Sequence, residues 1–182
     1  MQTPSLTTPR LRLEPVALAH AAALQPHFAN PEVLRFLAAS IPNPYPDGGM
    51  QWFLENDLLP RVASGKAMAW ALVPIDHGSA VGVLVWRREP SEEGDRGFWL
   101  GQPFWGQGLM TEAITAFQDY VFFQVGLERM ELRSGIHNHG SRRIKEKTGC
   151  AKIGEAHGEM HEGDRVEVWE ITRTRWARLR GR

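Results

Sequence analysis

The stretch GFWLGQPFWGQGLMTEAITAF, residues 97–117, constrains the fold more than any other part of the chain. It begins with apolar residues typical of a strand, passes through Trp105-Gly106-Gln107-Gly108, and continues into a helical pattern. Because glycine lets backbone amides converge and a helix start carries unpaired N–H groups, this order forms an anion site. An ordinary tight turn would carry the same two glycines, so the interpretation needs support from elsewhere in the chain.

Composition favours one globular domain spanning residues 1–182. The chain has 182 residues, of which 42% are hydrophobic, as expected for a domain with a proper core. Lysine plus arginine equals aspartate plus glutamate at 21 each, which gives no overall electrostatic reason for nucleic-acid or membrane binding. The single cysteine, Cys150, excludes an internal disulfide and a multi-cysteine metal site. With no apolar run of signal-peptide or membrane-span length, we expect a cytoplasmic protein.

Hydrophobic patterns predict strands that alternate with helices along the chain. Strands are predicted at 10–16, 67–75, 80–89, 97–100, 128–136, 150–155 and 166–174. Helical patterns occupy 17–28, 30–37, 50–62, 111–125 and 138–148. The three strands from residue 67 to 100 predict an antiparallel meander, and the strand at 128–136 favours a parallel crossover because it follows a helix. Thr111 is a candidate helix cap, with Glu112 in the first turn.

Taken in order, these elements resemble the GCN5-related N-acetyltransferase (GNAT) family, in particular its ribosomal-protein N-terminal acetyltransferase (RimJ/RimL-like) branch. The resemblance covers nearly the whole chain, from TPRLRLEP through the NPYP loop and GFWLGQPFWGQGLMTEA to HNHGSRRIKEKTGC and VEVWEITR. Its most specific part is the ordered combination of the glycine turn and Thr111-Glu112-Ala113 with four later residues, Asn138, Ser141, Lys147 and Gly149.

The resemblance implies an α/β GNAT fold: a central twisted mixed sheet of about six to seven strands, splayed between the fourth and fifth, with helices on both faces. It implies acetyl-CoA as co-substrate, and no metal. In such enzymes the pantetheine arm enters the splay and hydrogen-bonds the fourth strand, where Leu100 and its neighbours would supply backbone groups. The pyrophosphate would meet the backbone amides of Gln107, Gly108, Leu109, Met110 and Thr111.

Two side chains depart from the family signature in the glycine turn. Aligned on Gly108, the signature places Trp105 where arginine or glutamine is usual, and Met110 where a small residue is usual. Because backbone amides make most of the expected contacts, these departures need not abolish binding. Gly106 adds flexibility to the turn.

Acetyl transfer to an amine needs a neutral nucleophile, a stabilised oxyanion and a proton for the departing thiolate. No covalent enzyme intermediate is required, so Cys150 is interpreted as a core residue. Asn138 either caps the following helix or, as the resemblance implies, contacts the pantetheine arm. The resemblance places Ser141 near the sulfur of CoA. Many relatives carry a tyrosine acid four residues later, where this chain has Lys145, which favours Ser141 or a water as proton donor.

The sequence offers two candidates for the general base that takes the proton of the amine. Asp95 precedes the fourth strand, where related enzymes often place a glutamate that accepts the amine's proton through water; a solvated acid beside Glu92 and Glu93 is the alternative. His137, at the predicted end of the fifth strand, is a second candidate. The spacing of the histidines that follow the fourth strand matches no compact zinc pattern; they are His137, His139, His157 and His161.

We therefore predict an N-acetyltransferase in which a primary amine, either a protein N-terminal α-amine or a small-molecule amine, attacks acetyl-CoA directly. A catalytically silent CoA-binding regulatory or interaction module is the alternative, motivated by Trp105, Met110 and the missing tyrosine. The basic cluster on the last predicted helix is either a solvated face or a site for the 3′-phosphate of CoA; it comprises Arg142, Arg143, Lys145 and Lys147.

The sequence says less about the binding partners of the protein than about its fold. Binding of nucleic acid would depend on the basic C-terminus RTRWARLRGR, and the balanced net charge speaks against it. No membrane partner is expected. The NPYP loop, Trp52 and the polar segment HGEMHEGDR are expected to shape the acceptor pocket. A homodimer is compatible with the sequence, which does not decide the oligomeric state.

Overall fold

The computed structural model describes residues 2–89 and 94–182, and within them the chain forms eight strands. They are β1 (Leu6–Thr7), β2 (Leu11–Pro15), β3 (Ala67–Pro74), β4 (Gly82–Arg87), β5 (Arg96–Leu100), β6 (Arg129–Gly135), β7 (Ala151–Met160) and β8 (Gly163–Thr172). One sheet has the order β1-β2-β3-β4-β5 and the other the order β6-β8-β7. Glu92 and Glu93, the acids that precede Asp95, lie outside the described residues.

The helices are α1 (Ala21–Phe28), α2 (Pro31–Leu34), α3 (Gly49–Phe53), α4 (Leu59–Ala63), α5 (Leu109–Asp119), α6 (His139–Lys147) and α7 (Arg173–Leu179). A π-helical turn, Leu54–Leu58, joins α3 to α4, and another, Tyr120–Gln124, extends α5. The predicted helix at 111–125 therefore begins two residues earlier, and Gly108 rather than Thr111 is its N-cap. The cap residue has φ of 78°, a conformation that glycine adopts without strain.

The meander β3-β4-β5 is antiparallel, as predicted, and helices cover both of its faces. Every residue of β3 is buried, and because successive side chains of a strand point to opposite faces, they enter two different clusters. On one face Trp70 packs against Phe117 of α5, with ring centroids 5.6 Å apart. On the other face Ala71 shares a cluster with Leu24 of α1. The α/β class predicted from the sequence is thus confirmed.

The predicted splay lies between β5 and β6. These strands meet only at an isolated bridge between Gly94 and Leu132, beside a hydrogen bond of 2.8 Å from Asp95 N to Glu131 O. Beyond it no ladder joins β5 to β6 in the described part of the chain, and every ladder there is antiparallel. The predicted parallel pairing, and with it a single mixed sheet, is therefore replaced by two sheets. Hydrophobic patterns indicate strands but do not show which edges stay unpaired.

Two further differences concern sheet edges. The strand count exceeds six to seven because Leu6–Thr7 pairs with β2. The polar segment 157–165 is mostly strand rather than a loop, since β7 continues to Met160 and β8 resumes at Gly163. Met160, at the end of β7, also forms an isolated bridge with Ala38. Backbone pairing with neighbouring segments therefore makes this segment a strand, although its polar composition is typical of a loop.

The basic C-terminus folds back as α7 onto the rest of the chain. Arg173 pairs with Glu128 at 2.9 Å, and Arg180 pairs with Asp119 at 3.0 Å. These ion pairs offset part of the positive charge on which nucleic-acid binding would depend. No helix in residues 2–89 or 94–182 combines the length and apolar character needed to cross a bilayer.

Candidate active site

The glycine turn presents backbone rather than side chains. Gly106 and Gly108 have φ of 75° and 78°. The hydrogen bond from Glu112 N to Gly108 O, 3.0 Å long, is the first of α5, so the amides of Leu109, Met110 and Thr111 have no acceptor within the helix. Together with the positive end of the helix dipole, these amides suit an anion. The departure at Met110 is accommodated because its side chain is only 4% exposed and packs in the core.

A polar clamp holds this turn against the turn between β1 and β2. Glu112 accepts hydrogen bonds from Thr8 Oγ1 at 2.6 Å and from the backbone N of Arg10 at 2.9 Å. Arg10 also donates to the carbonyl oxygen of Gln107, over 2.9 Å. Although partial burial acts in the opposite direction, the hydrogen bonds from Thr8 and Arg10 keep the pKa of Glu112 below its usual value. The clamp positions the turn and offsets the negative charge of Glu112 beside it.

A cavity of about 530 Å³ adjoins the clamp. Gly108 and Thr111 line it on the side of the turn, and Lys147 and Arg180 line it with positive charge. The cavity therefore joins the glycine turn to the end of α6, the helix on which the sequence placed a basic cluster. Glu112 and Asp119 line it as well, and Asp119 pairs with Arg180. The lining therefore carries no net charge, and an anionic ligand there would depend on the backbone amides of the turn and on Lys147.

Beyond the Gly94–Leu132 bridge, the edge of β5 that faces the splay pairs with no other strand in the described part of the chain. Gly101 donates to Val81 O at 2.8 Å and Arg87 donates to Asp95 O at 2.7 Å, so odd-numbered residues of this segment face β4. By alternation the backbone groups of Phe98 and Leu100 face the opposite way, toward the splay. An extended ligand could pair with this edge as an added strand.

Trp105, the other departure from the family signature, contacts this same edge. Its indole Nε1–H donates to the carbonyl oxygen of Leu100 over 2.6 Å. The bond satisfies the carbonyl of Leu100 but does not involve its N–H. Trp105 thus ties the glycine turn to the end of β5.

The start of α6 brings two predicted residues together. Asn138 Oδ1 accepts a hydrogen bond from Ser141 N at 2.9 Å, so Asn138 is the N-cap of the helix. Ser141 itself is 7% exposed. Its Oγ accepts a hydrogen bond from Lys145 Nζ over 2.9 Å, and Lys145 Nζ also donates to Ser134 Oγ over 2.5 Å.

Lys145 is therefore not part of a solvated basic face, as one interpretation of the sequence had it. Its side chain is 1% exposed, because residues four apart share a helix face and the face with Ser141 is buried. Burial, followed by the neighbouring charge of Arg96, lowers the pKa of Lys145 to about 7, against the opposing influence of Cys150 and Glu167. The amine stands four residues after Ser141, where many relatives carry a tyrosine.

The candidate bases are less well placed. Asp95 Oδ2 accepts a hydrogen bond from Glu131 N at 2.7 Å and closes the narrow end of the splay, which gives it a structural role. His137 is exposed in the turn after β6.

Within residues 2–89 and 94–182, the remaining histidines and the cysteine show no sign of a metal site. His161 contacts the carbonyl oxygen of Ile41 over 2.8 Å. Among the described residues, no three of His, Cys, Asp and Glu come together as a metal site. Cys150 is buried in the core, as predicted.

Two of the three segments expected to shape the acceptor pocket adjoin each other. Ala39 N donates to Glu159 O at 3.0 Å, and His161 N donates to Leu37 O at 3.1 Å. The chain leading into the NPYP loop is thus attached to the β7–β8 turn. Trp52, the third feature, is 65% exposed on α3.

Comparison with known proteins adds independent information. The family model of the acetyltransferase (GNAT) domain matches residues 10–151. The uncharacterized N-acetyltransferase p20 of Bacillus licheniformis is 24% identical over 152 residues, covering 82% of this chain and 84% of p20.

Solved structures show the same fold over nearly the whole chain. RimL, a ribosomal L7/L12 alpha-N-protein acetyltransferase solved in complex with coenzyme A, has a TM-score of 0.78 at 18% identity, covering 93% of this chain and 98% of that one. RimJ of Mycobacterium smegmatis, solved in complex with CoA-disulfide, has a TM-score of 0.77 at 19% identity, covering 98% of this chain and 94% of RimJ. At these identities the likeness concerns the fold.

Proposed function

The chain belongs to the GNAT acetyltransferase family, and we propose that it transfers an acetyl group from acetyl-CoA to a primary amine. This membership confirms the resemblance inferred from the sequence. The observation that carries the proposal is the continuity between the free edge of β5 and the free amides at the start of α5. One ligand with an extended amide-containing arm and a pyrophosphate would use both, and acetyl-CoA has both parts.

The proposed reaction is a direct attack without an acyl-enzyme. The neutral amine attacks the thioester carbonyl carbon, the C–S bond breaks, and the amine loses a proton while the thiolate gains one. We assign the oxyanion to the backbone N–H of Leu100 or a neighbour on β5, and the proton for the thiolate to Ser141. Asp95 is the proposed acceptor of the amine's proton, through water. Asn138 holds the backbone of Ser141 in place and is proposed to contact the pantetheine arm.

A protein N-terminal α-amine is our first choice of acceptor class, with small-molecule amines second. The structural neighbour RimL, named as a ribosomal L7/L12 alpha-N-protein acetyltransferase, supports this choice. The acceptor would enter from the side formed by residues 37–41 and the β7–β8 turn.

Saturating acetyl-CoA should raise the melting temperature by about 5–10 °C, since a ligand at one hundred times its Kd stabilises by about 2.7 kcal/mol. Differential scanning fluorimetry measures the shift, and free-thiol release is then followed with a panel of N-terminal peptides and small amines. An unchanged melting temperature would remove the basis of the proposal.

Ser141→Ala should lower kcat by about 100-fold while leaving acetyl-CoA affinity nearly unchanged, because it removes a proton donor to the departing thiolate. Thiol release and isothermal titration calorimetry give the two quantities. Ser64→Ala is the matched control, since Ser64 is exposed and its Oγ donates to the nearby Arg61 O. If Ser141→Ala kept the wild-type kcat, another group or water would be the donor.

A CoA-binding module without turnover is the second candidate. Trp105 favours it, because its indole already occupies the carbonyl of Leu100 on the edge that the pantetheine arm would use. Stabilisation by acetyl-CoA without thiol release across the whole panel would favour the module over the enzyme.

A further inference from the structure

Lys145 is a buried amine whose two hydrogen-bond partners among the described residues are both hydroxyl oxygens. Its Nζ lies 2.9 Å from Ser141 Oγ and 2.5 Å from Ser134 Oγ. The ring centroid of Trp169 lies 6.0 Å away. Because an amine that donates to Ser141 Oγ leaves the hydroxyl hydrogen free, Ser141 can still donate to a second group.

Packing alone does not account for a lysine at this position. Moving an ammonium group out of water is costly unless it is paired, and an unbranched apolar side chain of similar length would fill the same space. An apolar residue would lose the contacts with Ser134 and Ser141, and of these two hydroxyls Ser141 is the one assigned a role in the proposed reaction.

We propose that Lys145 is a positioning residue for the acid step, which orients Ser141 Oγ and replaces the proton that Ser141 gives to the departing thiolate. The inference rests on the proposed function. As the C–S bond breaks, the thiolate sulfur takes the proton of Ser141 Oγ, and Ser141 Oγ takes one from Lys145 Nζ. The neutral Lys145 then takes a proton from solvent, and the proton that the acceptor amine gave to Asp95 returns to solvent, so that the proton count closes over one turnover.

The charges around the amine suit this exchange. Arg96 of β5 and Arg142 of α6 favour the neutral form of Lys145, whereas Glu167 of β8 and Cys150 favour the charged form. Glu167 is itself engaged by Arg142 at 2.7 Å and by Lys152 at 3.1 Å, which weakens its hold on the lysine. With the pKa lowered to about 7, Lys145 can both release and regain a proton near neutral pH.

The kinetic test compares the pH dependence of kcat in the wild type, Lys145→Met and Lys145→Arg. The wild type should lose kcat as pH rises through about 7, because the ammonium form is the one that resupplies the proton. Lys145→Met should lack this descending limb and fall about 10- to 100-fold below the wild type on its acidic side. Lys145→Arg keeps a permanently charged donor, and should retain the hydrogen bond to Ser141 but lose the limb near pH 7.

Lys66→Met is the matched control, since Lys66 is a lysine with a 54% exposed side chain, and its profile should match the wild type. A Lys145→Met enzyme with wild-type kcat and an unchanged descending limb would overturn the inference. Wild-type turnover in the same assay establishes the proposed function separately. Failure of every enzyme to turn over any acceptor would count against the proposed function, and the next measurement then decides on Lys145.

That measurement requires no activity. The chain has four lysines, Lys66, Lys145, Lys147 and Lys152, so selective ¹³Cε labelling gives four NMR signals. One signal should titrate near pH 7, should vanish in Lys145→Met, and should shift in Ser141→Ala. The inference is wrong if all four signals titrate at about pH 10.4, the usual value for lysine. It is also wrong if the chemical shift of the Lys145 signal is the same in Ser141→Ala as in the wild type.

Discussion

Wild-type protein and Lys145→Met should diverge in unfolding free energy by about 4 kcal/mol as the pH is raised from 7 to 10.4. The pKa of Lys145 is lowered to about 7 in the folded state, whereas in the unfolded chain it is near the ordinary value of about 10.4. Between these two values the unfolded state binds the additional proton, so stability rises with pH. The stability associated with the neutral form of Lys145 is fully present above the pKa of the unfolded chain, about 10.4. It decreases as the pH falls below that value and is fully lost once the pH has fallen through the folded-state pKa of about 7.

Urea denaturation at several pH values from 7 to 10.5 measures the effect as the difference between the two proteins. Titrations of other groups largely cancel in that difference, apart from those in contact with Lys145. Lys66→Met again serves as the control, and its difference from the wild type should stay flat. A flat difference for Lys145→Met would mean that the buried amine keeps an ordinary pKa in the folded protein.

Gly108→Val should weaken acetyl-CoA binding by about 100-fold, because a β-branched residue is strained at positive φ. Gly108 has φ of 78°, and the nearest atom to a Cβ at this position would be Arg10 Nη2 at 3.5 Å, so space is sufficient and the strain is conformational. To relieve it the turn must move, and the amides of Leu109, Met110 and Thr111 would no longer converge. Isothermal titration calorimetry with acetyl-CoA measures the loss.

Gly65→Val separates loss of the site from general loss of stability. Gly65 has φ of 75°, and a Cβ there would have no neighbouring atom within 4 Å, so the same backbone strain arises in a turn outside the proposed site. This variant should lose a similar amount of stability and retain acetyl-CoA binding. Unchanged binding by a folded Gly108→Val protein would show that the glycine turn is not the pyrophosphate site.

Local features of the site were predictable from the sequence. The glycines of the turn and the cap formed by Asn138 depend on residues within a few positions of each other, and such short-range preferences are visible in a sequence. The same holds for β3, whose apolar run predicted a strand at 67–75, although its burial on both faces was not predicted. The start of α5 was placed two residues late, because Thr111 is a common capping residue and the positive φ of Gly108 has no counterpart in a hydrophobic pattern.

Three contacts of the site were missed, each for an identifiable reason. Arg10 and Glu112 are 102 positions apart, and nothing in either local pattern links them. The bond from Trp105 to the carbonyl of Leu100 spans only five positions, but it depends on the fold of the glycine turn. Lys145 was assigned with its charged neighbours, although its spacing of four from Ser141 on a helix was the available signal.

By itself, the sequence predicted most of the strands and helices and the turn in which Gly106 and Gly108 expose backbone amides, because these follow from periodicity and backbone preference. The family followed from the resemblance that its ordered motifs bear to GNAT enzymes. Tertiary structure alone decided that β5 and β6 part after one bridge, and that Glu112 is held by a segment far away in the chain. It also decided that Lys145 is removed from water beside Ser141. Desolvation, edge pairing and long-range hydrogen bonds depend on what the fold brings together, and a linear pattern does not contain that information.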